Sequence, residues 1–331
     1  MIDNQSPRIV GIGGLNLDYI VSKVGLDPFV EADRRAFLAQ FSPASETTVS
    51  EQTLRRLVSS LAPEHVAIRP GGSSFNALIA LAEQGSFSLG FVGCIGERPS
   101  PSPIEQAMTK CRIDCRHVAV AAGREHGSCL SIQVSGDRWL ATTRGANDET
   151  ASRLRHDREG VSAYLSQAAI VHISSLLDAE APTAILAVLR RARQLNPALR
   201  ISLDPGAHWS RIVASDPALR ALGELADWLF LNGEEFRNWR SSGLLARSDA
   251  TVFRKAPGRI ALYVRIAGRG LETRDVRQPI IAASQIQDPT GAGDHFAAGA
   301  LSVLVYEPTD LMKAANTGLT LARRRLMAAP F

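Results

Sequence analysis

No run of about eighteen apolar residues occurs anywhere in this 331-residue chain, so the usual signal of a membrane-spanning helix is missing. The opening MIDNQSPRIV lacks a basic segment followed by an apolar one, so no secretion signal is read and a cytoplasmic protein is expected. Cysteine is scarce. Cys94, Cys111, Cys115 and Cys129 are too few and too irregularly spaced for a disulfide scaffold, and they read as reduced thiols. Cys111, Cys115 and His117 lie near one another, but no second ligand pair follows at finger-like spacing, so a zinc site is not expected. Blocks of like charge are absent too: the net charge of +4 is spread over interspersed acids and bases, which gives a nucleic-acid partner no support. Internal repeats and low-complexity segments are also wanting. What remains is a chain with 45% hydrophobic residues, long enough to bury a continuous core as one large domain or two ordinary ones.

The stretch RIVGIGGLNLDYIV is an apolar run broken by glycines, and it reads as one buried strand delivering Asn16 and Asp18 at its carboxyl end. From Asp27 to about Pro70 the composition is mixed, with helices expected at Glu31 to Gln40 and Ser50 to Leu61, the second capped by Ser50. This segment reads as an insertion or lid. PGGSSFNALIALAEQG reads as a Gly-rich turn and a helix from Ser74 to Gln84. A strand is expected at Phe87 to Ile95, and a hairpin from Gly127 that turns at Gly136 and Asp137. Strand and helix signals then alternate: AAIVHIS, a helix over Ala181 to Leu195, RISLDP, a helix over Pro217 to Leu225, WLFLN and IALYVRIA. That alternation predicts an α/β fold with a mainly parallel sheet flanked by helices. Two helices close the chain, one after Gly293 and one over Leu311 to Met327.

The chemistry concentrates in Asp288-Pro289-Thr290-Gly291-Ala292-Gly293-Asp294, which opens a helix. Small residues let backbone amides approach a ligand, and a helix start aims unpaired N–H groups and a positive dipole end at one point, so the loop suits an anion. Asp294 could take a proton from a hydroxyl attacking a phosphate, with the amides of Gly291, Ala292 and Gly293 stabilising the transferring group. The plain alternative is that Asp294 caps its helix. Gly11-Ile12-Gly13-Gly14 is not a dinucleotide fingerprint, because the third glycine and the following helix are missing. No Gly-x4-Gly-Lys-Ser/Thr segment exists either, so phosphate binding has to rest on the 291–294 loop.

This loop resembles the signature of the ribokinase family, the PfkB-type carbohydrate kinases, whose closing aspartate is the catalytic base. Other matches follow in the family's order. Gly13-Gly14-Leu15-Asn16-Leu17-Asp18 resembles its first-strand motif, and Gly71-Gly72-Ser73-Ser74-Phe75-Asn76 its second. Asn232-Gly233-Glu234-Glu235 is similar to its Asn-x-x-Glu motif, and Gly145-Ala146-Asn147 to a shorter one. The resemblance implies a ribokinase-like domain over residues 1–331 with a small β-rich lid from about 19–70 and 124–146. It implies Asp294 with Gly291, Ala292 and Gly293 as catalytic residues, and Asn16, Asp18, Gly71, Gly72 and Asn76 as acceptor-binding residues. ATP and Mg2+ are the implied cofactors, with Asn232, Arg265, Gly268, Gly270 and Asn316 at the nucleotide and Glu235 at magnesium. Asp288 would help bind a monovalent cation such as K+.

Departures from the pattern bear on specificity. Pro289 replaces a common Thr, His295 follows the aspartate where a small residue is common, and Ala267 replaces a glycine in Val264-Arg265-Ile266-Ala267-Gly268-Arg269-Gly270. Glu97-Arg98 and Gly206 also differ from the family's usual residues. The long insert with Phe29, Phe37 and Phe41 is similar to that of adenosine-kinase-like members, although these rings would equally anchor the insert to the core. The segments Ser135-Gly136-Asp137-Arg138 and Gly145-Ala146-Asn147 resemble features of sugar and sugar-acid kinases. The expectation is therefore a carbohydrate kinase first, a nucleoside kinase second, and a ligand-binding homologue without turnover third. Its partners are a small-molecule acceptor and ATP, with neither nucleic acid nor membrane, and an exposed lid edge offers a place for a homodimer.

Overall fold

A computed structural model describes residues 6–21, 46–85, 87–98, 100–134, 137–246, 248–266, 270–286 and 289–328. The expected helix at Glu31 to Gln40, the aromatic residues Phe29, Phe37 and Phe41, and the expected site residues Gly268 and Asp288 lie outside these. Among the described residues fourteen strands run in chain order as β1 (Arg8–Ile12), β2 (Asn16–Val21), β3 (Glu46–Thr48), β4 (Val66–Gly71), β5 (Ser88–Arg98), β6 (Asp114–Glu125) and β7 (Gly127–Val134). They continue as β8 (Asp137–Thr143), β9 (Ile170–Ser174), β10 (Arg200–Asp204), β11 (Trp228–Leu231), β12 (Thr251–Ala256), β13 (Arg259–Ile266) and β14 (Gly270–Arg277).

Nine of these strands form one sheet in the order β14-β13-β12-β11-β10-β9-β1-β5-β6. The seven strands from β12 to β6 are mutually parallel, whereas β13 and β14 add an antiparallel edge. Side chains alternate between two cores. Ile9, Ile170, Trp228 and Phe230 pack on one face, while Val10, Val171, Leu229 and Leu231 pack on the other. Because helices cover both faces, the central strands are apolar throughout, which is why they stand out in the sequence. One face carries the helices Ala181–Leu195 and Pro217–Leu225, and the other carries Ser73–Ala82 and Ala292–Leu304. The closing helix Leu311–Met327 crosses Ala292–Leu304 at Gly299 and Gly318. A Cβ at Gly299 would come within 2.8 Å of the Gly318 Cα, so only glycine allows this approach.

A second sheet has the order β3-β8-β7-β2-β4. The opening run is two strands, with β1 in the large sheet and β2 in the small one, so Asn16 and Asp18 begin a new strand and do not end the first. Gly13 makes the crossing possible, since a Cβ there would lie 2.3 Å from the Ser174 Oγ and 2.4 Å from the Ser74 Oγ. The expected hairpin is present as β7 and β8, paired antiparallel from Ser128↔Thr143 to Val134↔Asp137. Strands β3, β4, β6, β12 and β14 have no counterpart among the expected elements. Among the described residues no helix is long and apolar enough to cross a membrane.

Candidate active site

Parallel strands all end at one edge of the sheet, and in open α/β sheets ligands bind in the crevice beyond those carboxyl ends, where the strand order reverses. Here that reversal falls between β1 and β9. A cavity of about 550 Å³ lies there, lined by Gly14 after β1, Asp204 of β10, Asn232 after β11 and Lys255 of β12. From the small sheet come Asn16 and Asp18, and from the helix Ala292–Leu304 and its preceding loop come Gly291, Ala292, Gly293 and Asp294. Gly72 and Asn76 of the second glycine motif complete this wall. The four clusters that look alike only as scattered motifs in the sequence thus share one cavity.

Asp294 sits in the first turn of its helix, and the Asn76 side-chain amide donates to its Oδ2 at 3.0 Å. Burial pushes the Asp294 carboxyl above the ordinary carboxylate range, and nearby Asp204 adds to this. The Asn76 amide, Lys255 and His295 work in the opposite direction. The carboxyl also lines the cavity. Gly291 adopts a left-handed conformation, with φ of 77°, which turns the chain into the helix. His295 Nδ1 lies 2.9 Å from the Gly291 carbonyl. A carbonyl only accepts, so that nitrogen carries the proton and His295 braces the loop.

The wall expected to hold an acceptor is assembled by close backbone approaches. Gly71 pairs with Asn16 across β4 and β2, and a Cβ at Gly71 would fall 2.2 Å from the Asp18 carboxylate. At Gly72, φ is 107° and a Cβ would lie 2.0 Å from the Gly14 carbonyl oxygen. Asn147 is buried and orients Asn16: its Nδ2 donates to the Asn16 Oδ1 at 2.8 Å, while its Oδ1 accepts the Leu15 N–H at 2.9 Å. Asn147 is thus a positioning residue, and its Gly-Ala-Asn segment was the sequence signal for it.

The residues expected at a nucleotide and its magnesium divide. Asn232 caps the helix Gly233–Ser241, accepting from the Glu234 and Glu235 amides at 2.9 Å each, and the Glu235 Oε2 accepts the Asn232 N–H at 2.7 Å. This reciprocal cap is the structural reason for an Asn-x-x-Glu spacing. Both residues nevertheless line the cavity. Burial, with Asp204 nearby, raises the Glu235 carboxyl to about 7 despite Lys255. A cation beside it would favour the charged form, so the donor set fits magnesium that takes its other oxygens from phosphates and water. No cluster of three or more metal-ligating side chains occurs among the described residues.

Arg265 is not brought to the cavity. Strand β13 runs antiparallel to β12, so Arg265 lies at the opposite end of the sheet, where its guanidinium donates to the carbonyls of Ala246, Leu245 and Ser248. Gly270 opens β14 opposite Ile266, at that same far end. Asn316 stands at the cavity's end of the sheet but outside its lining, with its Oδ1 accepting from Gln278 Nε2 at 2.9 Å.

Lys255 was not singled out in the sequence. It is the penultimate residue of β12, shares a face with Phe253 and reaches the cavity, where its Nζ lies 2.6 Å from the Asp204 Oδ2. A Cβ built at Gly293 would sit 3.5 Å from that ammonium, and one at Gly291 would sit 3.8 Å from the Arg325 Nε. Two cationic side chains therefore flank the glycine loop, a fit to an anion that needs no P-loop.

The family model described as pfkB family carbohydrate kinase matches residues 46–323. The chain belongs to the PfkB family. A nucleoside kinase of Methanocaldococcus jannaschii is 31% identical over 111 residues, which is 32% of this chain and 34% of that protein, so the chain spans about a third of the curated relative's length. Among solved structures, Anopheles gambiae adenosine kinase in complex with P1,P4-di(adenosine-5) tetraphosphate superposes with a TM-score of 0.78 at 19% identity, covering 98% of this chain and 96% of that one. A probable sugar kinase from Rhizobium etli gives 0.73 at 18%, covering 96% and 92%. These likenesses establish the ribokinase-like α/β fold that the sequence led one to expect.

Proposed function

We propose that this PfkB-family chain is an ATP-dependent kinase that phosphorylates a hydroxyl of a small polyol, with nucleosides as the first acceptor class. The observation that carries the reading is the placement of Asp294, held by Asn76, at a helix start in the cavity that Asn16 and Asp18 also enter. In the mechanism, Asn16, Asp18 and Asn76 hold acceptor hydroxyls, and Asp294 takes the proton of the attacking one. The amides at Gly291 to Asp294 meet charge on the transferring phosphoryl group, because a helix start carries N–H groups without intrahelical partners. Magnesium bound with the nucleotide would be held next to Glu235 and Asn232 and would neutralise phosphate charge. The small sheet serves as the lid, and its approach expels water that would otherwise compete for the phosphoryl group.

By its sequence motifs alone a carbohydrate is the first acceptor expected. The similarity to a nucleoside kinase and an adenosine kinase favours its alternative. One observation keeps a sugar or sugar acid as the second reading: Arg144 and Arg211 line the cavity, while no aromatic ring does so among the described residues. Coupled ADP release with magnesium and ATP, across nucleosides, pentoses, hexoses and sugar acids, separates the two, with Asp294→Asn as control. Turnover on a nucleoside that the substitution abolishes supports the first reading, and turnover confined to sugars or sugar acids replaces it with the second. Silence across the panel, with ligands still raising the melting temperature, would leave a binding protein without turnover.

A further inference from the structure

We propose that Lys255 is a catalytic residue that contacts the γ-phosphate, and that Asp204 is the residue that positions it; this rests on the kinase reading above. The ammonium stands at the second glycine of the 291–294 loop, in the cavity and at the carboxyl end of β12. Its side chain is 17% exposed and that of Asp204 9%, so the pair is largely shielded from water.

Three features point to phosphate rather than to a purely structural ion pair. Firstly, an ammonium has three donors, and among the described residues its one hydrogen bond is to Asp204, at 2.6 Å. Two donors are left at the loop where the reaction would occur. Secondly, Lys255 is surrounded by the carboxyl groups of Asp204, Glu235 and Asp294. A nucleotide triphosphate entering a site with three carboxyl groups needs a fixed positive charge close to the transferred group, and Lys255 supplies it from the protein. Thirdly, the charge is secure. Burial works to lower the lysine's pKa, but Asp204 and Glu235 outweigh it and hold the group above its ordinary value.

In the step itself, the acceptor oxygen bonds to the γ-phosphorus, the bond from that phosphorus to the β–γ bridging oxygen breaks, and ADP leaves with the electron pair. The acceptor's proton passes to Asp294. Lys255 stays protonated throughout and donates to non-bridging γ-oxygens, whose charge it balances as the bonds exchange.

The test uses the full chain and the variants Lys255→Met, Lys255→Arg and Asp204→Asn/Lys255→Met. The double variant removes both charges, so that no buried aspartate is left without its partner. Three quantities are read: the melting temperature, turnover on the best acceptor, and the ratio of affinities for the non-hydrolysable ATP analogue AMP-PNP and for ADP. Lys255→Met is expected to lower kcat by about 100-fold, to weaken AMP-PNP more than ADP, and to leave the acceptor's KM nearly unchanged. Lys255→Arg should recover part of the loss. The double variant should melt as the wild type does yet stay as slow as Lys255→Met. A double variant that melts normally with kcat within about threefold of wild type, or an unchanged AMP-PNP to ADP ratio, overturns the proposal while leaving the kinase reading intact. Should the wild type turn over no acceptor, the kinase reading fails by itself. The affinity ratio, measured without acceptor, still decides the Lys255 contact, and absence of AMP-PNP binding to the wild type would end both.

Discussion

Asn76 and Asp294 stand 218 positions apart in the chain and meet through a single hydrogen bond of 3.0 Å. The contact joins the first turns of two helices packed on the same face of the large sheet, Ser73–Ala82 and Ala292–Leu304. Burial raises the proton affinity of the candidate base, and the amide opposes this by favouring the charged carboxylate. A base works deprotonated, so activity falls as pH drops through its pKa. Asn76→Ala removes a group that lowers that pKa and should move the acid limb of kcat/KM to higher pH, with a loss of about tenfold at neutral pH. A profile with an unmoved acid limb would separate Asn76 from Asp294 and leave it an acceptor contact only.

Asn147 acts one step further out. Its side chain lines the cavity, donates to the Asn16 Oδ1 at 2.8 Å and accepts the Leu15 N–H at 2.9 Å. Asn147→Ala should raise the acceptor's KM about tenfold, the cost of freeing one hydrogen-bonded ligand, with AMP-PNP affinity unchanged. Calorimetric titration of both ligands checks this, and a parallel loss of nucleotide affinity would argue for general loosening of the site instead.

Much of this arrangement is legible in the sequence for a local reason. Gly291 to Asp294 are contiguous, and small residues before a helix-forming segment carry their meaning without tertiary information. The central strands are equally plain because burial on both faces makes them apolar runs. The failures arise where meaning depends on direction or on a partner. An apolar run does not reveal that the chain leaves one sheet at Gly13 and enters another at Asn16. Arg265 looked like a nucleotide contact because glycines follow it, but the turn between β12 and β13 reverses the chain and carries it to the far end. Lys255 follows Arg254 in a strand whose polar residues hide it, and only the parallel pairing of β12 with β11 shows that it ends beside Asp204.

Gly72 is expected to be the most demanding glycine of the acceptor wall. Its φ of 107° disfavours any side chain, and a Cβ would stand 2.0 Å from the Gly14 backbone oxygen, which cannot swing away. Gly72→Ala should cost more than about 2 kcal/mol of stability. Gly123 provides the comparison, since its φ is 70° but a Cβ there meets nothing within 4 Å. Gly123→Ala should cost only about 1 kcal/mol from conformation alone. Urea unfolding of both variants measures the difference, and equal losses would mean that the Gly14 contact relaxes freely.

Glu235 makes stability depend on pH in a direction opposite to that of most carboxylates. Burial raises it from an ordinary value of 4.5 to about 7 in the folded chain, with Asp204 adding to the shift and Lys255 resisting it. Between those two values the folded protein holds a proton that the unfolded chain has released, so this group's contribution falls as pH rises through the window and is level above it. Glu235→Gln keeps an acceptor for the Asn232 N–H, bonded at 2.7 Å in the native cap, but removes the titration. The variant should therefore gain on the wild type between pH 5 and pH 8, by on the order of 2 kcal/mol. Urea unfolding at the two pH values decides it. A difference that stays constant would mean that Lys255 keeps Glu235 charged throughout, and the carboxylate would then already be in the form that magnesium requires.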